Sequence, residues 1–148
     1  MACGTPATPA IACSRGTRLD RLILDTTILI GAERRRTRLD ELIGDDDDVA
    51  IAAVTMAELL VGVILADPRH RSKREAFVNE VLSTVAVEPY DTEVARAHAS
   101  LIAHTRTSGR PRGAHDLMIA ATAVTRNREV VTLDATGFDD LPNVRFRS

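Results

Sequence analysis

The sequence predicts an α/β protein with a mostly parallel central sheet flanked by helices. Five short apolar segments have the character of β-strands, and helical segments separate the first four of them along the chain. Parallel strands need such crossover connections, and helices that cover a sheet complete its core. With 148 residues, of which 45% are hydrophobic and 27% charged, the chain has the size and composition of one globular domain.

The predicted strands are short apolar runs that end at polar or turn-forming residues. A tail over residues 1–18, rich in Ala, Thr, Pro and Gly, precedes the first strand and is expected to be disordered. Residues 19–148 are then the folded domain. The five runs are RLILD (21–25), VAIAAVT (49–55), VAVEPY (85–90), EVVTLD (129–134) and NVRFR (143–147).

The predicted helices are identified by the spacing of their apolar residues and by the residues at their ends. Asp91 is placed to cap the helix that follows it, and Glu93 lies in the favourable first turn of that helix. The helix that begins at Ala114 has almost no polar face before Thr125 and is expected to be buried. The predicted helices cover residues 26–36, 37–43, 56–66, 75–84, 91–109 and 114–128.

The composition excludes several classes of protein. The formal net charge is −2 and the aromatic residues are three Phe, one Tyr and no Trp, which argues against a global basic field and against base-stacking platforms. Both cysteines, Cys3 and Cys13, lie in the tail, which fits a reducing compartment. Because neither a signal peptide nor a membrane-spanning apolar run is recognisable, we expect a cytoplasmic protein with no membrane partner.

Four acidic residues fall where the predicted fold has one edge of its sheet. Asp25 ends the first strand and Asp134 ends the fourth. Glu58 begins the helix after the second strand, and Asp116 begins the buried helix that leads into the fourth. Chain direction therefore sends all four to the carboxyl edge of the sheet, where ligands of open α/β sheets bind.

Each of these acids also has a local structural interpretation. Thr55 and Glu58 together have the pattern of a capping box at a helix start. Asp116 suits the positive end of a helix dipole, and Asp134 suits a turn in the sequence LDATG. Asp25 is the hardest to explain in this way, because the two threonines that follow it are themselves good helix caps.

Together the acids point to a bound cation. Neighbouring carboxylates raise one another's pKa by repulsion unless a positive charge lies among them. Lys73, the only lysine among the 19 basic residues, lies in a polar segment in the middle of the chain. A hard divalent cation relieves the repulsion, and a ligand set made only of oxygen atoms suits Mg²⁺, with Mn²⁺ as the alternative.

Four segments resemble the PIN-domain proteins, and most of all the VapC toxins of bacterial toxin–antitoxin pairs. They have that family's order and spacing, within a likeness over residues 20–148: LILDTTILI (22–30), TMAELLVG (55–62), GAHDLMIAATAV (113–124) and VVTLDATGFDDLPNV (130–144). The resemblance implies a three-layer PIN-like fold and a Mg²⁺-dependent endoribonuclease. It also implies that the catalytic and metal-binding residues are Asp25, Glu58, Asp116 and Asp134.

The last of these segments departs from the family pattern. Where the family often has an Asp just before the Phe, this chain has Gly137. Asp134 is therefore expected to supply the fourth acid, with Asp139 as the alternative.

An RNA substrate is expected to meet residues beside the acids. Thr26 follows the first acid and is a candidate to orient a water molecule or a ligand, with helix capping as the alternative. Arg110 and Arg112 lie in the loop before the third acid and are candidates for phosphate contacts. The basic segments 34–38 and 69–74 are further candidates, and for each of them a solvated surface is the alternative.

The resemblance also implies two protein partners. The segment AELLVGVILA (57–66) is apolar on more faces than one helix of a small domain can bury, and we predict that it helps form a groove for a cognate VapB-type antitoxin. The helix over 114–125 and its preceding loop resemble the surface through which these toxins form homodimers. Its small residues would permit close approach of a second copy: Ala114, Ala120, Ala121 and Ala123.

Two alternatives to a metal-dependent nuclease remain open. A catalytically inactive PIN-like module would bind RNA or a protein partner without cutting RNA. A metal-free ribonuclease would use histidine and the RNA 2′-hydroxyl and would release cyclic phosphates, whereas metal-activated water leaves 5′-phosphate and 3′-hydroxyl ends. The histidines are scattered along the chain, at His70, His98, His104 and His115.

Overall fold

A five-stranded parallel sheet forms the centre of the protein. The computed structural model describes residues 19–34 and 39–148, so the predicted tail lies outside the described residues. The strands are β1 (Arg21–Leu24), β2 (Asp48–Ala52), β3 (Ala86–Glu88), β4 (Glu129–Val131) and β5 (Phe146–Arg147). Their order in the sheet is β3-β2-β1-β4-β5 and every neighbouring pair is parallel, which confirms the predicted fold class.

Helices cover both faces of this sheet. Side chains of the central strand alternate between two cores, as the pleat of a strand requires. The helices are α1 (Thr26–Glu33), α2 (Leu39–Leu42), α3 (Ala53–Ile64), α4 (Arg71–Thr84), α5 (Thr92–Ser108) and α6 (Ala114–Arg126). Leu22 and Leu24 pack with α1, α3 and α4 on one face, while Ile23 packs with α5 and α6 on the other.

The ends of α5 follow the sequence prediction closely. The Asp91 side chain accepts a hydrogen bond from the backbone N–H of Val94 at 3.0 Å, which confirms Asp91 as the helix cap. Gly109 ends the helix in the left-handed region, at φ 66°, where a residue without a β-carbon is favoured. This ending turns the chain into the loop that leads to α6.

The predicted capping box at Thr55 is wrong. Strand β2 ends at Ala52 and α3 begins at Ala53, so Thr55 is the third residue of the helix and lies buried within it. Ala52 has the extended backbone of a helix cap, but its methyl side chain cannot form a capping hydrogen bond. Glu58 therefore lies in the second turn of α3 and has no capping role.

Several arginines serve the fold. Arg128 is 5% exposed and pairs with Glu88 at 2.8 Å and with Asp48 at 3.1 Å. Arg147 pairs with Asp20 and Glu129 at 2.9 and 2.6 Å. These ion pairs join residues that lie in or directly beside different strands, so part of the arginine content of the chain is structural.

The described residues contain no helix that is both long and apolar enough to cross a membrane.

Candidate active site

Asp25 lies at the carboxyl end of the central strand and caps helix α1. Its side chain is almost fully buried, at 3% exposure, and its backbone N–H donates to the carbonyl of Val131 at 2.9 Å. The carboxylate accepts three hydrogen bonds, from the Thr26 N–H at 2.7 Å and from the hydroxyls of Thr27 and Thr132 at 2.8 Å each. These donors replace the water that burial removes, which explains how a carboxylate is tolerated in an apolar stretch.

Thr27 and Thr132 connect the ends of β1 and β4. The Thr27 hydroxyl also accepts from the Leu133 N–H at 3.0 Å, and the Thr132 hydroxyl accepts from the Asp134 N–H at 2.9 Å. The sequence analysis gave neither threonine a role at the site. Their position beside an acid at a strand end was the available signal, since a buried carboxylate needs donors.

Asp116 is the third residue of α6 and lies against two glycines. A β-carbon built on Gly137 would approach its Oδ2 atom to 2.8 Å, and one built on Gly113 would approach the same atom to 3.1 Å. Larger residues at these two positions would therefore displace the carboxylate. The first turn of a helix is also a favourable place for a negative charge, as predicted.

Three of the predicted acids act electrostatically on the fourth, Asp116. Burial raises the pKa of Asp116 above its ordinary value, and the negative charges of Asp25, Asp134 and Glu58 raise it further, while His115 opposes the shift. The fold therefore places three acids close enough to Asp116 for their charges to act on it.

Glu58 reaches the site from α3. Its Oε1 atom is buried and lies 3.1 Å from Nδ1 of His115, an ion-pair distance without the angle of a hydrogen bond. No other group of the described residues donates to this oxygen. A buried carboxylate oxygen without a hydrogen bond is costly unless a ligand satisfies it.

Asp134 is both a turn residue and a member of the acidic group. Its side chain caps the 3₁₀ turn Ala135–Gly137 by accepting from the N–H and the hydroxyl of Thr136, at 3.1 and 2.5 Å. The alternative fourth acid, Asp139, is held by Arg112 at 3.0 Å and lies 3.8 Å from Arg110. Asp134 acts on Asp116 electrostatically, whereas the carboxylate of Asp139 is engaged by arginines.

The two arginines of the loop before α6 have different surroundings. The Arg112 side chain is only 9% exposed, and its Nη2 donates to both the backbone oxygen and the carboxylate of Asp139, at 2.8 and 3.0 Å. Arg112 therefore stabilises the segment that follows the 3₁₀ turn Ala135–Gly137. Arg110 is about half exposed and pairs with Asp140. The predicted contacts of both arginines with RNA phosphates stay predictions.

Thr26 contributes its backbone to the site and leaves its hydroxyl free. The N–H donates to Asp25, whereas Oγ1 is buried without a hydrogen bond to any residue that the structure describes. Asp25 itself is the cap of α1, so the helix-capping alternative for Thr26 is wrong. Its hydroxyl has the capacity to orient a water molecule or a ligand.

Within residues 19–34 and 39–148, no three His, Cys, Asp or Glu side chains are grouped closely enough to hold an ion as they stand. The donor set nevertheless fits a hard cation, because the negative charges of three acids act on Asp116 and Glu58 has an unsatisfied buried oxygen.

The protein is of the α/β class, with an open, parallel sheet and a group of acidic residues at the carboxyl edge of that sheet. The sequence profile of the PIN domain matches residues 22–144, which is most of the chain. Ribonuclease VapC of Rickettsia bellii is 32% identical over 124 residues, covering 83% of this chain and 92% of that protein. Ribonuclease VapC5 of Mycobacterium tuberculosis is 38% identical over 112 residues, covering 76% and 82%.

A solved structure agrees with these relatives. The crystal structure of VapBC-5 from Mycobacterium tuberculosis, a member of the VapBC family of toxin–antitoxin systems, superposes with a TM-score of 0.72 at 35% identity, covering 85% of this chain and 96% of the other. The chain therefore belongs to the PIN-domain family, among its VapC ribonucleases. The resemblance seen in the sequence is confirmed.

Proposed function

We propose that this VapC-type endoribonuclease is the toxin of a toxin–antitoxin pair and cleaves RNA by metal-activated water, with Mg²⁺ or Mn²⁺ held by Asp25, Glu58, Asp116 and Asp134. The observation that carries the proposal is the convergence of these acids at the carboxyl edge of the sheet, where three of them raise the pKa of Asp116 and Glu58 has a buried oxygen without a hydrogen bond. A divalent cation stabilises such a group of carboxylates, and oxygen-only donors favour Mg²⁺ or Mn²⁺.

The bound cation would supply a water of lowered pKa and would neutralise charge on the phosphate and the leaving oxygen. The chain's own residues keep the ligands in place. Thr27 and Thr132 fix the Asp25 carboxylate between two strands, so that it is held in one orientation before RNA binds. The adjacent buried hydroxyl of Thr26 is a candidate to accept or donate a hydrogen bond to the attacking water.

Substrate contacts would come from the exposed rim. Arg110 is the more accessible of the two candidate loop arginines and is suited to a phosphate contact, whereas Arg112 would act by holding the turn that carries Asp134 and Gly137. Phosphate contacts of this kind orient RNA but do not read its sequence. A cytoplasmic location, where cellular RNA is available, agrees with this function.

The test is to sequence and chemically define the RNA ends that the protein produces with Mg²⁺ and with EDTA. Mg²⁺-dependent products with 5′-phosphate and 3′-hydroxyl ends are expected. Cyclic phosphates that also form in EDTA would instead indicate the histidine route. RNA binding without cleavage in any divalent cation would indicate an inactive binding module.

The exposed face of α3 supports an antitoxin partner. Ile64 is 70% exposed and Leu65 79% exposed, and Leu60 and Val61 are also exposed apolar residues of this segment. The prediction that the fold does not bury all of this apolar segment is therefore confirmed. A continuous apolar face of this kind suits an amphipathic segment of a VapB-type antitoxin.

A homodimer is proposed here through a smaller part of the α6 surface than the sequence predicted. Ala120, Ala121 and Ala123 are almost fully buried within the chain, so their small size serves internal packing and they are not available to a second copy. Ala114 and the loop over 109–113 lie at the surface and could still meet a partner.

A further inference from the structure

A small cavity of about 110 Å³ opens beside the acidic site, between α1, α3 and α4. Thr26 and Glu58, both members of the candidate site, form part of its wall. Ile30, Leu59 and Val78 supply apolar wall. This volume lies well below the roughly 300–1,000 Å³ of pockets for drug-sized ligands, so the cavity suits one ring system and not a whole nucleotide.

An ion pair between Arg74 and Glu33 forms part of the lining of this cavity. Nε of Arg74 lies 3.2 Å from Oε1 of Glu33, and Nη1 of Arg74 donates to the carbonyl of Gly62 at 3.2 Å. Among the described residues, Oε2 of Glu33 and Nη2 of Arg74 make no hydrogen bond. The cavity therefore offers a carboxylate acceptor and a guanidinium donor side by side.

The charge balance of the cavity distinguishes between ligands. Glu33 and Glu58 contribute two negative charges to the lining, and Arg34 and Arg74 contribute two positive charges. A phosphate would gain little from a lining that sums to neutral and has one arginine already paired. A nucleobase is neutral, has apolar faces and carries donors and acceptors on its edge, which matches both the walls and the ion pair.

We propose that this cavity, named here the α1–α4 pocket and defined by Ile30, Glu33, Leu59, Arg74 and Val78, binds one unstacked base of the RNA substrate next to the phosphate that is cut. The inference rests on the proposed ribonuclease function and adds to it the residues that select a base. Glu33 and Arg74 hydrogen-bond the edge of the base, and the aliphatic residues pack against its face. Single-stranded RNA is commonly recognised through such splayed bases.

The experiment uses a randomised single-stranded RNA pool digested by the full chain in Mg²⁺, with both sides of each cleavage point sequenced. The wild type should show a base preference at one position close to the cut. Glu33→Gln, which turns one acceptor into a donor, and Arg74→Lys, which removes the planar donors, should change that preference about fivefold or more at this position only. Matched controls are Glu75→Gln and Arg96→Lys, both at exposed residues outside the pocket.

Two results would overturn the inference. One is unchanged base preference at every position in both pocket variants while cleavage continues. The other is unchanged preference together with loss of inhibition by the antitoxin, which would assign the pocket to a protein side chain. Melting temperatures close to that of the wild type would show that the variants fold.

A failure of the proposed function is recognised separately. If the wild type does not cleave the pool in Mg²⁺, RNA retained by the protein is sequenced from the same pool. A base preference that both pocket variants alter in the retained RNA still supports the pocket. Retained RNA without such a preference rejects it.

Discussion

Gly137 and Asp116 share one small volume: a β-carbon on Gly137 would lie 2.8 Å from Oδ2 of Asp116 and 3.1 Å from its Cγ. The family pattern often has an Asp at this position, so the glycine first looks like a lost acid. The close approach to Asp116 indicates a different role for this glycine. The absence of a side chain leaves room for the carboxylate at the start of α6, beside the other acids.

Gly137→Ala should therefore lower RNA cleavage about tenfold or more while leaving the fold intact. The end of a flexible side chain is the atom in the way, so Asp116 can rotate aside at little cost to stability, but its carboxylate is then misplaced for ligation. Cleavage rates and melting temperatures of the variant measure the two effects. Gly44→Ala is a matched control, because Gly44 also contacts an aspartate, Asp47, outside the site. Equal cleavage by Gly137→Ala and the wild type would contradict the prediction.

Much of the site was predictable because parallel strands bring their carboxyl ends to one edge. Asp25 follows β1 directly, as that rule predicts, and the direction of the crossover helices adds Glu58 and Asp116. The prediction that Asp134 ends the fourth strand is wrong, because β4 ends at Val131 and Asp134 caps the 3₁₀ turn that follows. The start of α3 was not predictable from side chains, because Ala52 ends β2 without a capping group and Thr55 carries a misleading pattern.

Interactions across long chain separations were also beyond the sequence. The Thr132 hydroxyl binds a carboxylate 107 residues away in the chain, and a single sequence does not reveal which donor meets which acceptor. Burial of Arg112 depends in the same way on a turn 27 residues further along. Local patterns predict elements and their ends, whereas such pairs depend on the packed tertiary structure.

Asp116→Asn should stabilise the metal-free protein increasingly as pH rises. The pKa of Asp116 is raised in the fold, so the native state binds its proton more tightly than the unfolded chain does. That stabilising contribution is complete at low pH and is lost as pH rises from the ordinary aspartate pKa through the raised one. Melting curves in EDTA should show the wild type falling relative to Asp116→Asn across this window, with a constant difference above it. A difference that does not vary with pH would disprove the coupling.

Ile64→Glu should strongly weaken binding of the cognate VapB-type antitoxin and leave the fold and RNA cleavage unchanged. Since Ile64 is 70% exposed, the substitution should change stability by only about 0.5 kcal/mol or less. A charge in the centre of an apolar contact, in contrast, should weaken binding about a hundredfold or more. Titration calorimetry with the antitoxin measures the affinity. Leu19→Glu, at an exposed leucine before β1, is the control, and an affinity equal to that of wild type for Ile64→Glu would place the groove elsewhere.

Light scattering of the antitoxin-free protein should give twice the mass of the 16.0 kDa chain. Ala114→Arg should shift the mass towards the monomer, because Ala114 is the exposed member of the small residues on α6 and a large charged side chain there would separate two copies. Ala103→Arg, at an exposed residue of α5, is a control of equal size and charge. A species of 16.0 kDa alone across the micromolar range would reject the homodimer.

Asp25→Asn should destabilise the metal-free protein, weaken its response to Mg²⁺ and strongly reduce RNA cleavage. Repulsion among the acids alone predicts a gain in stability, but the two Asp25 oxygens accept three hydrogen bonds, and an amide nitrogen cannot accept. The loss should amount to about 1–3 kcal/mol, the cost of leaving a buried donor unpaired.

In the wild type, Mg²⁺ should raise the melting temperature by mass action, and the rise in Asp25→Asn should be much smaller. RNA cleavage should fall by at least about a hundredfold, because the cation supplies both the nucleophile and charge stabilisation. Melting that is insensitive to Mg²⁺ in the wild type, together with cleavage that persists in Asp25→Asn, would reject the metal site and leave Asp25 as a buried cap of α1.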